Sequence, residues 1–69
     1  MIPIKQYIAE QFLNKKFHFI CECLIPINIT GIVRNYKIIN NEIILYISTE
    51  DKLVQIGLNT PALLINQLY

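Results

Sequence analysis

Ile38-Ile39-Asn40-Asn41-Glu42-Ile43-Ile44-Leu45-Tyr46-Ile47 is two apolar runs joined by a pair of asparagines. It predicts a tight hairpin, because asparagine tolerates the positive φ that such turns demand. The arm after the turn, Glu42 to Ile47, puts Ile43, Leu45 and Ile47 on one side and Ile44 and Tyr46 on the other. Both faces are apolar, so this arm reads as a central strand covered on both sides. The arm before the turn extends back to about Asn28 and contains Gly31 near its start. A glycine inside a strand permits a bulge or sharp bend, the device by which short strands curl into small barrels, or marks a close crossing by another group.

Outward from the hairpin the period stays at two. From Lys16, residues Phe17, Phe19, Cys21 and Cys23 alternate with His18, Ile20 and Glu22, a half-buried strand that Pro26 brings to a close. On the other side, Ser48-Thr49-Glu50-Asp51 is a polar turn and Leu53 to Ile56 a further strand before Gly57. The N-terminal stretch Pro3 to Asn14 changes period. Ile4, Ile8 and Phe12 recur every four residues with Tyr7 beside them, Pro3 suits a first turn, and Asn14 can close the helix in the left-handed conformation. Lys15 and Lys16 follow, where positive charge suits a helix end.

The tail has two readings. Asn59 or Thr60 can cap a helix that starts at Pro61 and puts Leu64, Ile65 and Leu68 on one face. Leu63-Leu64-Ile65 also suits a buried strand, and periodicity does not separate the two over so short a run. The expected fold is one α+β domain spanning residues 1–69. It has an N-terminal amphipathic helix, a curled antiparallel sheet of four to five short strands, and a short C-terminal helix or closing strand. The closing strand would complete a small SH3-like or Sm-like barrel.

Composition bounds the function. The 69 residues are 54% hydrophobic and 16% charged, and Leu53 to Tyr69 carries no charged side chain. A domain this small buries only ~60% of the surface its unfolded chain exposes, so part of that apolar surplus must lie outside or against another chain. The net charge of +1 gives little field for steering toward nucleic acid or anionic membranes. Neither charge-free stretch reads as a membrane span: Leu24 to Val33 is short and holds Pro26 and Gly31, and Leu53 to Tyr69 is interrupted by polar residues, Gly57 and Pro61. The N-terminus lacks a secretory pattern. Cys21 and Cys23 share a strand face at a spacing a bridge does not favour, so reduced thiols in a cytoplasmic protein are the simplest state.

Chemical motifs are sparse. His18, Ser48 and Asp51 are the only residues of their types, and no catalytic signature surrounds them, so no enzyme activity is expected. His18, Cys21, Glu22 and Cys23 hold metal-ligand chemistry, but strand parity leaves the two cysteines on one face and the other two on the opposite one. Two cysteines are half of a structural zinc set, and packing as small apolar side chains is the simpler reading. No cofactor is expected; Gly31 and Gly57 are too far apart for a phosphate loop.

Two binding readings follow. In the first, the protein is a small non-catalytic cytoplasmic module that self-associates or docks on a larger protein through its charge-free C-terminal surface and sheet edge, with Tyr46, Leu58, Leu64, Leu68 and Tyr69 as contact candidates. In the alternative it binds single-stranded nucleic acid. Arg34 and Tyr36 share a strand face with Lys37 following, and Lys15, Lys16, Phe17 and His18 form a second basic-aromatic group. Strand aromatics usually pack in cores and edge lysines discourage aggregation, which places this alternative second.

Overall fold

A computed structural model describes residues 3–22 and 26–69. A short helix, α1 (Ile4–Glu10), precedes five strands: β1 (Lys16–Cys21), β2 (Ile27–Ile39), β3 (Glu42–Ser48), β4 (Leu53–Gly57) and β5 (Leu64–Leu68). The strands form one antiparallel sheet in the order β4-β3-β2-β1-β5. Among the described residues the sheet is open, with β4 and β5 as its two edges. Asn40 and Asn41 form the hairpin turn with φ of 50° and 66°, as their sequence predicts, and Asn14 ends the helical segment at 61°.

The central strand is β2 rather than β3, which corrects the sequence expectation. Residues 27 to 32 pair with β1 and residues 32 to 39 with β3, so this one long strand changes partner at Ile32. Two features accommodate the change. At Gly31 the backbone of Ser48 and the Ile47 side chain crowd in so closely that a Cβ would collide with both. Between Val33 and Asn35 the register shifts, a bulge centred on Arg34. The outward side chains of β3, Ile44 and Tyr46, are half-buried, less covered than the inward Ile43, Leu45 and Ile47.

The core lies on the inner face, where Phe17, Phe19, Val33, Leu45, Ile47 and Ile56 pack with Ala9 of α1. Alternation on β1 and β3 follows the pleat, inward residues buried and outward ones half-buried. Phe12, Phe17 and Phe19 form an aromatic run with centroid separations of 5.0 and 6.0 Å that ties the helical segment to β1. The helix is shorter than its periodicity predicts and turns a different face inward. Ala9 is buried and Phe12 and Leu13 pack against the core, whereas Ile4, Tyr7 and Ile8 are exposed. A small side chain at 9 lets the helix backbone approach the sheet, and the larger stripe is left outside.

The tail is a strand, which corrects the helical reading. Thr60 closes a turn by bonding the Gly57 carbonyl with its hydroxyl (2.7 Å) and its N–H (3.1 Å), and Ala62 adopts φ 59°, which ends any helix begun at Pro61. The chain then runs antiparallel to β1 with Ile65 opposite Phe19. This satisfies the backbone of an otherwise open β1 edge and lays Leu63 and Ile65 on the core. Cys21 is disulfide-bonded, which corrects the expected reduced thiol and removes the cysteine argument for a cytoplasmic setting; Cys23 lies outside the described residues. The Cys21 sulfur lies 3.3 Å from the Pro61 carbonyl oxygen, a close contact at the start of the tail.

Candidate interaction surface

Strand β5 reads Leu-Ile-Asn-Gln-Leu and among the described residues pairs only with β1, so with respect to them its other side presents unpaired backbone groups. The pleat sends Leu63 and Ile65 inward and leaves Leu64, Asn66 and Leu68 on the outer face, all exposed. Leu64 is 61% and Leu68 38% exposed, and Tyr69 is fully exposed just beyond the strand. Across β1 the outer face continues in rows: Leu64 beside Ile20, Asn66 beside His18, and Leu68 beside Lys16. This edge therefore carries an apolar residue at each end and amides between them. Edge strands are ordinarily guarded by lysine, proline or a bulge. None of these interrupts residues 64–68.

The contact candidates divide. Leu64, Leu68 and Tyr69 share the β5 edge. Leu58 does not belong there: it packs against the core and donates its N–H to the Ile43 carbonyl at 2.9 Å. Tyr46 is on the outer face of β3, separated from β5 by two strands. Leu53, 62% exposed at the start of β4, is an apolar residue on the opposite edge that sequence reading left unassigned. The signal for it was parity, since Leu53 pairs with outward-facing Ser48.

The basic residues also divide. Lys16, Arg34 and Lys52 line a groove of about 600 Å³ between the first half of β2 and the β3–β4 turn, together with Glu50 and Asp51. Thr49 shapes that turn: its hydroxyl accepts the Lys52 N–H at 3.2 Å, and its own N–H bonds the Lys52 carbonyl at 2.9 Å. The bulge at Arg34 reverses the expected parity of β2, so Tyr36 packs against the core and does not share a face with Arg34. The aromatic that the cations meet is Tyr46. Lys37 Nζ sits 6.0 Å from its ring centroid, beside Arg34 in a smaller cavity of about 290 Å³. Lys15 is exposed between α1 and β1, and Phe17 is buried.

His18 is half-buried, and its Nε2 lies 2.7 Å from Asn28 Oδ1. Among the described residues no three His, Cys, Asp or Glu side chains are grouped to hold a metal ion. No helix among them is long and apolar enough to cross a membrane. In comparisons with protein-family models, curated proteins and solved structures, nothing matches this chain.

Proposed function

We propose that this protein is a small non-catalytic module that self-associates by adding a strand of a second copy to the free edge of β5. The observation that carries this reading is an edge strand with no charge, proline or bulge to guard it and with Leu64, Leu68 and Tyr69 exposed along it. Backbone hydrogen bonds supply affinity at such an edge, and the apolar side chains supply contact area. A strand from a larger protein is the other candidate occupant. The test is solution mass by light scattering across protein and salt concentrations. A discrete oligomer that survives high salt is expected, and Leu64→Asp or Leu68→Asp should yield a smaller species that is still folded, because both side chains face outward. A monomer at every concentration overturns self-association.

Single-stranded nucleic-acid binding is the second reading, favoured by the three cations of the larger groove and by Lys37 over Tyr46. It is weaker because Glu50 and Asp51 line the same groove while Tyr36 and Phe17 are turned to the core. If it holds, Arg34→Ala with Lys37→Ala reduces binding to a single-stranded oligonucleotide and flattens its salt dependence. Salt-independent binding would sink it.

A further inference from the structure

The outward positions of β5 read Leu64, Asn66, Leu68, the same in either direction. A strand with that property is its own complement when paired antiparallel with a copy of itself. We propose that two copies join β5 to β5 about a two-fold axis at Asn66, so that a single sheet runs through both protomers. This rests on the self-association reading above and specifies its geometry.

In that register Leu64 faces the partner's Leu68, Asn66 faces the partner's Asn66, and Ile65 faces the partner's Gln67. Facing residues in an antiparallel pair have Cβ atoms roughly 4.5–5.5 Å apart, close enough for leucine to pack on leucine. An asparagine amide carries both donors and acceptors, so two of them across an axis can bond reciprocally. The absence of charge from Leu53 to Tyr69 acquires a reason here. A charged residue on an isologous edge meets its own like charge near the axis, and like charges directly opposite are destabilising.

Neighbouring registers fit less well. Moving the axis to Ile65 opposes Leu64 to Asn66 and brings Leu68 against Ala62, which lies in the turn at φ 59°. Moving it to Gln67 opposes Asn66 to Leu68, an amide against an apolar side chain. A shift that turns the outer face of one strand to the inner face of the other would mix core-facing and outward side chains.

Joining β5 to β4 of the next copy is the competing arrangement. Successive antiparallel pairings through the sheet leave β4 and β5 running in the same direction, so that junction is parallel if the faces are kept. Parallel pairing is slightly less stable per residue, and a head-to-tail contact propagates into rings or filaments. The outward residues of β4, Leu53, Gln55 and Gly57, also offer β5 a glycine where it needs a side chain.

The experiment uses Asn66→Lys and Asn66→Asp, each at an exposed position. Each variant alone places like charges across the axis, and dissociation by analytical ultracentrifugation should be about five-fold easier than for the unaltered protein. An equimolar mixture should recover the dimer, because only a contact of position 66 with position 66 turns the repulsive Lys/Lys and Asp/Asp pairs into attractive Lys/Asp pairs. As a second readout, Asn66→Cys should give a covalent dimer under mild oxidation, with the 66-to-66 link located by mass spectrometry, whereas Gln67→Cys should not link to itself. Oligomers that grow with concentration, a mixture no tighter than its components, or no 66-to-66 link would overturn the two-fold arrangement while self-association stands. A concentration-independent monomer of the unaltered chain would overturn both.

Discussion

Ala62 holds a φ of 59°, in the left-handed region where a Cβ crowds the backbone at a cost of roughly 1–2 kcal/mol. Nothing in the sequence announces this, because alanine is not a residue that signals such a conformation. It arises because the chain must reverse after Thr60 so that Leu63 and Ile65 can face the core. Asn14, Asn40 and Asn41 adopt the same region and were legible, since asparagine reaches it at lower cost. Replacing Ala62 by glycine removes the crowding, and Ala62→Gly should raise stability by about 1 kcal/mol, read as a rise of several degrees in the thermal midpoint. Gly31→Ala should move the midpoint the other way. Its φ needs no glycine, but its Cβ would meet the Ser48 carbonyl, and backbone cannot rotate aside as a side chain can. A fall at position 62 or a rise at 31 would contradict these accounts.

At the scale of elements, the strands on either side of the Asn40-Asn41 turn were legible because alternation and turn chemistry agree there. Three other features were not. The bulge at Arg34 adds a residue to β2 and turns Tyr36 inward, and no local pattern in Arg34-Asn35-Tyr36 marks it. The tail fits either a helix or a closing strand in sequence, because Leu64, Ile65 and Leu68 share a helical face while Leu63-Leu64-Ile65 also suits a strand. What decides for the strand is the open edge of β1, which only the sheet as a whole reveals. Helix α1 lies within the stretch the periodicity marks, and Phe12 of the expected stripe packs against the core, but Ala9 and Leu13 join it there in place of Ile4, Tyr7 and Ile8.

That helix is seven residues long with no side-chain cap at its start, too short to persist alone. Its order depends on Ala9 and on the Phe12–Phe17 contact. Phe12→Ala should therefore release the α1 amides to fast hydrogen exchange while those of β3 remain protected. The cost to overall stability should be below the ~3–5 kcal/mol of a fully buried phenylalanine, because Phe12 is only partly buried. Equal loss of protection in α1 and β3 would mean that the helix is integral to the sheet rather than an addition to it.

For the molecule as a whole, the relevant balance is between a small core and two open sheet edges. Domains of this length have a stability of roughly 3–10 kcal/mol, and this one leaves Leu53, Leu64 and Leu68 outside its own core. The charge-free segment from Leu53 to Tyr69 is legible in the sequence, but which of the proposed contact residues share a surface is not, because that depends on the order β4-β3-β2-β1-β5, in which Tyr46 and Leu64 lie strands apart. If a second copy covers β5, association and folding are linked: whatever binds the folded chain and not the unfolded one stabilises it by mass action. The thermal midpoint should then rise by several degrees over a hundred-fold increase in protein concentration. Leu64→Asp should abolish that dependence and leave a midpoint near the dilute value of the unaltered chain, since the exposed side chain contributes little within one protomer. A midpoint independent of concentration would mean that the folded chain draws no stability from a second copy, and self-association through β5 would be overturned.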